Sequence, residues 1–165
     1  MTRILLTAIA AFLSATGAFA QDKDSQKFLT EAIQGNYAES KMGDLAQSNG
    51  QSPEVKSYGQ MLITDHNAAN QKAMDAAKSL GVTPPTEPNA KQKSDYAKMA
   101  KMKGAAFDKM FAQHMVLDHR KDIKAYEKAA KKQDAAGQYA QGTLATLKTH
   151  LENAQALQTQ KSSRR

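Results

Sequence analysis

The chain has 165 residues, a formal net charge of +7, and neither cysteine nor tryptophan. The absence of cysteine excludes disulfides, thiolate metal ligands and a cysteine nucleophile, so packing alone must stabilise the fold. Glycine and proline number only 9 and 4, while strong helix formers are abundant, which predicts an all-α protein. Aromatic residues do not interleave with the basic ones, so we expect no nucleic-acid partner.

Residues 1–20 have the pattern of a cleavable signal peptide. A short positive start, Met1-Thr2-Arg3, precedes an apolar run from Ile4 to Leu13, and the segment closes with Ala18-Phe19-Ala20. This pattern predicts cleavage after Ala20 and a periplasmic or secreted protein. The apolar run is shorter than the ~20 residues of a spanning helix, so a membrane anchor is the less favoured alternative. We expect no transmembrane segment in the exported chain.

Four long helices and one short helix are predicted in residues 21–160, which we interpret as one four-helix bundle domain. Apolar residues recur at alternating steps of three and four along each long segment. In chain order the predicted helices are Ser25–Ser48, Pro53–Leu80, Ala90–Lys103, Ala105–Lys132, and a last helix that runs from its cap Asp134 to Gln158. Residues 161–165 are predicted to be a basic tail.

The segment between the second and third long helices contains three of the four prolines, in residues 81–89. Proline excludes a continuous helix there. Together with the short basic helix, residues 81–104 are long enough to travel the length of a bundle. The sequence therefore predicts a crossover between the second and third long helices, and a folded-back loop remains open as an alternative.

Each long helix carries one polar residue with metal-ligating chemistry on its apolar stripe. In chain order these are Glu39, His66, His119 and His150. Four helices that each direct one such group inward can build a single-metal site for zinc, iron or copper. The alternative is a polar core held by hydrogen bonds. His150 lies about five residues past the middle of its helix, so its height along the bundle is the open question.

Two aspartates directly precede histidines, in Asp65-His66 and Asp118-His119. Neighbouring residues point about 100° apart on a helix, so each pair cannot chelate one ion together. We interpret Asp65 and Asp118 as groups that orient histidines of neighbouring helices, or else as exposed partners of lysines. His114 lies on another face and four residues before Asp118, which predicts an ordinary contact within the helix.

The arrangement of these motifs resembles the bacterial exported family called domain of unknown function 4142, of the ferritin-like superfamily. The resemblance covers about Asp24 to Leu157. It rests on Phe28-Leu29, Glu39, Leu45-Ala46, Val55-Lys56, Met61, Asp65-His66, Gly104, Phe107-Asp108, Met115-Val116, Asp118-His119, Leu147 and His150-Leu151. It implies a ferritin-like four-helix bundle and no established activity. Ferritin-like di-iron proteins carry Glu-x-x-His, but Ile63 and Leu147 replace the glutamates here, so a dinuclear iron site is not expected.

Three functional hypotheses follow. The leading one is an exported helical bundle of unestablished activity whose polar cluster is structural or holds one metal ion, with no catalytic residue predicted. The second is a ferritin-like redox or hydrolytic metalloenzyme, which needs an open coordination position. The third is an envelope-associated protein that binds anionic surfaces through lysines of the crossover. These are Lys91, Lys93, Lys98, Lys101 and Lys103.

Overall fold

The structure is a computed structural model that describes residues 22–160. Within this range the chain forms five α-helices and no strand, which confirms the all-α prediction. The helices are α1 (Lys23–Asn49), α2 (Pro53–Ser79), α3 (Ala90–Met99), α4 (Gly104–Ala129) and α5 (Ala135–Gln160). The predicted signal peptide and basic tail lie outside the described residues. None of the five helices is long and apolar enough to cross a membrane.

Side-chain caps determine where most of the helices begin. The Asp22 carboxylate accepts a hydrogen bond from the Asp24 N–H at 2.9 Å, so α1 starts two residues before the predicted Ser25. Ser52 Oγ accepts from the Val55 N–H, with Pro53 at the first helical position. Asp134 accepts from the N–H of Gly137 at 3.0 Å. The caps read from the sequence for α2 and α5 therefore agree with the structure.

Two predicted helix ends were wrong: α4 ends at Ala129 and not at Lys132, and the short helix is also shorter than predicted. It ends at Met99 and not at Lys103, because the chain turns where the Asn49 side chain binds it. Asn49 Nδ2 donates to the carbonyls of Ala100 and Met102 at 3.2 and 2.9 Å. Gly104 then begins α4 with φ of 62°, a conformation that favours glycine.

The long helices form two antiparallel pairs, α1 with α2 and α4 with α5. Backbones of α1 and α2 approach closely, since a Cβ added at Gly43 would lie 2.5 Å from the Gly59 carbonyl oxygen. In the second pair, the hydroxyls of Tyr126 and Tyr139 lie 3.1 Å apart. The helix α2 packs on α5, while α1 and α4 have fewer contacts with each other.

Residues 80–103 run from one end of α1 to the other. The Leu80 carbonyl accepts from Gln26 Nε2 near the start of α1, and Asn49 holds Ala100 and Met102 at its end. Along this path α3 contacts both α1 and α4. Consequently α2 and α4 run in the same direction. At their shared end, the buried Asp108 carboxylate accepts from the backbone N–H groups of residues 51 and 52.

Two hydrophobic clusters fill the interior, and a polar layer lies between them. One cluster is built around Leu62 and Phe111, and the other around Ile33 and Leu147. On each long helix, one or two buried polar residues fall between the segments that supply these clusters. The layer contains Asn36 and Glu39 of α1, His66 and Asn70 of α2, His119 of α4, and His150 of α5. The fold thus gathers side chains from four helices at one height.

Candidate metal centre

Three histidines converge in the polar layer. One ring nitrogen from each of His66, His119 and His150 lies within 4.8 Å of the corresponding nitrogen of the other two. The ring centroids of His150 lie 5.2 Å from those of both other histidines. All three side chains are at most 4% exposed. We call these residues the three-histidine group; His150 therefore lies at the same height as the other two.

Each imidazole has one nitrogen hydrogen-bonded to an acceptor outside the group. His66 Nδ1 donates to Asn36 Oδ1 at 3.0 Å, and His119 Nδ1 donates to the Met115 carbonyl at 3.0 Å. His150 Nε2 donates to Asp65 Oδ2 at 2.8 Å. These bonds fix the tautomers, so the lone pair of each neutral ring is on its other nitrogen. Metal-ligating histidines in proteins have this arrangement almost without exception.

His119 and His150 face each other without a hydrogen-bond donor between them. Their nitrogens Nε2 and Nδ1 lie 3.2 Å apart. Because Met115 and Asp65 accept the other two N–H groups, the facing nitrogens of two neutral rings both present lone pairs. A proton between them would create a buried imidazolium. A metal ion would instead accept both lone pairs, and two nitrogens on one tetrahedral zinc are about 3.3 Å apart.

Burial keeps these imidazoles neutral. Loss of hydration lowers the pKa of His66 far below its ordinary value, and the two neighbouring imidazoles lower it further. Burial, with a further contribution from His150, lowers the pKa of His119 to about 4. The pKa of His150 is also lowered by burial, against a smaller opposing effect of Asp65. The three lone pairs are therefore available at neutral pH, which is the state that metals bind.

The two aspartates have different surroundings. Asp65 contacts His150 of another helix, the orienting geometry considered for it. Asp118 Oδ2 lies 3.2 Å from His114 Nε2, a contact within α4. The carboxylate of Asp118 also borders a cleft that Glu39 lines from α1.

Glu39 is buried, but it is not a member of the three-histidine group. Its Oε2 atom has no hydrogen-bond partner among the described residues. Burial raises the pKa of its carboxyl well above the ordinary value, and the charges of Asp118 and Asp122 raise it further. The structure thus brings together three of the four ligands proposed from the sequence and places Glu39 on a neighbouring cleft.

That cleft, about 220 Å³ in volume, lies between α1, α3 and α4 and extends inward to His66. It is bordered by exposed residues such as Glu31 and Lys121 and by the buried Glu39. Small molecules or ions therefore have a route from the surface to one side of the three-histidine group.

Sequence reasoning missed Asn36, which fixes the tautomer of His66. Its Nδ2 also donates to the hydroxyl of Tyr139 at 3.0 Å, so the amide connects α1 to two other helices. The available signal was its position three residues before Glu39, on the same helical face. Asp122 was missed as well, although it follows Asp118 by four residues and faces the same cleft.

A family model described as "Domain of unknown function (DUF4142)" matches residues 11–157. The match confirms the DUF4142 resemblance that the motifs indicated, while the ferritin-like superfamily stays a prediction, and the match begins within the segment interpreted as a signal peptide. No curated protein and no solved structure shows significant similarity to the chain. The assignment of chemistry therefore rests on the geometry of the side chains.

Proposed function

The chain belongs to the DUF4142 family, whose description names no activity, and we propose that it binds one transition-metal ion through His66, His119 and His150. The observation that carries this proposal is the pattern of outward hydrogen bonds. Each imidazole donates from one nitrogen to an acceptor, so each has a lone pair on its other nitrogen, and the three rings meet within 4.8 Å.

The donor set favours zinc. Neutral imidazole suits zinc, copper, iron and nickel, whereas carboxylate oxygens suit calcium and magnesium. Three protein ligands with a fourth position left for water are the usual composition of a catalytic or exchangeable zinc site. The three ligand atoms of the group are imidazole nitrogens, and Met115 contributes its backbone carbonyl to His119. We therefore expect zinc to bind more tightly than copper(I).

The test is zinc binding by calorimetry, with cobalt(II) as a spectroscopic substitute. We expect one ion per chain, tetrahedral cobalt bands and a higher Tm with zinc, since a ligand of the folded state stabilises it. His119→Ala removes a ligand and should weaken zinc binding by more than the roughly 100-fold that loss of an outer hydrogen-bond partner costs at most. The matched control is His114→Ala, because His114 is outside the group and contacts Asp118. No saturable binding, or equal losses in both variants, would reject the proposal.

Metal-dependent catalysis is a second candidate, favoured by the cleft that reaches His66. A coordination position open to this cleft would admit a small molecule to the bound ion. Azide or thiocyanate added to the cobalt-loaded protein tests this directly. A change in the visible spectrum is expected for an open position, and an unchanged spectrum argues for a closed, non-catalytic site.

We also propose that the four long helices form a ferritin-like four-helix bundle. Two antiparallel pairs joined by the long 80–103 connection support this assignment. A crystal structure should contain α2 and α4 in the same direction with the polar layer enclosed. A different helix order would contradict it.

Export remains a proposal that rests on the sequence of residues 1–20. Cleavage after Ala20 would leave a chain that begins at Gln21. Intact-mass measurement of protein from a periplasmic extract tests this. Recovery of the uncleaved chain in the cytoplasmic fraction would contradict it.

A further inference from the structure

The cleft between α1, α3 and α4 has features of a second cation site. Its α1 and α4 walls carry carboxylates, which are Glu31, Glu39, Asp118 and Asp122. Asp118 and Asp122 are four residues apart on α4, so they lie one turn from each other on the same face. The cleft differs in chemistry from the three-histidine group because its acidic wall presents oxygen donors.

The carboxylates act on one another electrostatically across the cleft. The charges of Asp118 and Asp122 both raise the pKa of Glu39. Burial and the charge of Asp118 raise the pKa of Asp122 to about 6, and Glu31 contributes in the same direction. Glu39 on α1 and the two aspartates on α4 all line this cleft, so a bound cation would relieve their mutual repulsion.

Basic groups near the cleft compensate only part of this negative charge. His114 pairs with Asp118, and Lys121 lowers the pKa of Asp122 against the larger effects of burial and Asp118. Lys91, on the α3 wall, pairs with Asp95 of its own helix at 2.6 Å. Glu39 is 4% exposed, and its Oε2 has no hydrogen-bond partner among residues 22–160. A buried carboxylate without a partner is costly, and a bound cation would satisfy it.

We propose that the cleft binds a divalent hard cation, such as Ca²⁺ or Mn²⁺, through the carboxylates of Glu39, Asp118 and Asp122. These metals prefer oxygen ligands, and calcium sites tolerate irregular geometry with water completing the shell. The three carboxylates provide up to six oxygens from two helices, and a cleft of about 220 Å³ leaves room for hydration water. Its three ligands are distinct from the three histidines, although His66 borders the same cleft.

Terbium(III) is a suitable probe because it replaces calcium and emits when energy is transferred from an excited tyrosine. Tyr126 borders the cleft, and the chain has no tryptophan to compete for excitation. With the full-length protein, we expect saturable tyrosine-sensitised emission that Ca²⁺ displaces. Binding of Mn²⁺, followed by its electron paramagnetic resonance signal, should give one ion per chain at this site.

Two variants distinguish the cleft from general surface binding. Glu39→Gln is nearly isosteric, and Asp122→Asn changes a half-buried position; each should weaken terbium binding about tenfold or more. The matched control is Glu152→Gln, which removes an equal charge from an exposed position of α5 outside the cleft. Absence of saturable binding, or equal affinities of Glu39→Gln and Glu152→Gln, would overturn the proposal.

His119→Ala separates this inference from the proposed zinc site. His119 does not border the cleft, so terbium binding should persist in this variant. Loss of terbium binding with His119→Ala would overturn the idea of an independent site. If the wild-type protein binds terbium but not zinc, the three-histidine site is rejected and the cation site of the cleft is retained.

Discussion

At the scale of single residues, the orientation of His66 depends on Asn36. The Asn36 amide accepts from His66 Nδ1 and donates to the Tyr139 hydroxyl, which in turn lies 3.1 Å from the Tyr126 hydroxyl. This chain of hydrogen bonds joins all four long helices beside the three-histidine group. Hydrogen bonds within a buried network hold its side chains in one arrangement. The availability of His66 Nε2 therefore follows from a residue that touches no metal.

We predict that Asn36→Leu weakens zinc binding about 10- to 100-fold, the usual effect of removing an outer partner of a ligating histidine. The substitution keeps a similar volume but leaves His66 Nδ1 without its acceptor, so the ring can adopt the other tautomer. Calorimetric zinc titration measures the effect. Asn36→Asp retains an acceptor oxygen at the same place and should keep most of the affinity. Equal affinities of the leucine and asparagine proteins would contradict this role.

At the scale of helices, the close approach of α1 and α2 fixes the height of the polar layer. Gly43 and Gly59 allow this approach, because a Cβ on Gly59 would lie 2.6 Å from the Ala46 Cβ. The contact also fixes the position of His66 along the bundle axis relative to the residues of α1. Small residues at this crossing thus connect helix packing to the geometry of the site.

We predict that Gly43→Ala lowers the free energy of unfolding by about 1–3 kcal/mol through overpacking. The new methyl group would meet the Gly59 carbonyl oxygen at 2.5 Å and the Ile63 side chain at 2.8 Å. Urea denaturation followed by circular dichroism measures the change. In the control Gly142→Ala, the Cβ has nothing within 4 Å, so helix propensity should stabilise that variant by about 1 kcal/mol. If both substitutions stabilised the protein, α1 and α2 could move apart at Gly43 without a free-energy cost, which would contradict the prediction.

At the scale of the whole molecule, sequence patterns predict the helices but only part of the candidate metal site. Caps such as Ser52 and breakers such as residues 81–89 act locally, so they are readable without tertiary information. Periodicity assigns Glu39 and the three histidines to inward faces. It does not give the rotation of each helix about its axis, which decides that the histidines meet while Glu39 borders the cleft. Asn36 was missed because its partners lie 30 and 103 residues away.

The three imidazoles, Glu39 and Asp122 all contribute to the pH dependence of the free energy of unfolding. The imidazoles have lowered pKa values in the folded state. Their contribution to the free energy of unfolding is thus fully present above pH 6.5 and decreases as the pH falls. Glu39 and Asp122 have raised pKa values, that of Asp122 at about 6. Their contribution decreases instead as the pH rises from about 4 through the raised values. The two trends oppose each other between pH 4 and 6.

Comparison of the metal-free wild type with His119→Gln isolates the histidine contribution, because the carboxylate contributions are shared and cancel in the difference. The pKa of His119 is about 4 in the folded state and 6.5 as a reference. This shift is equivalent to at most about 3 kcal/mol. We predict that the stability advantage of the wild type over His119→Gln shrinks by up to this amount as the pH falls from 6.5 to 4. Urea titrations at half-unit pH intervals, with a chelator present, measure it. Parallel curves for the two proteins would mean that His119 is protonated equally in the folded and unfolded states, contrary to its burial against His150.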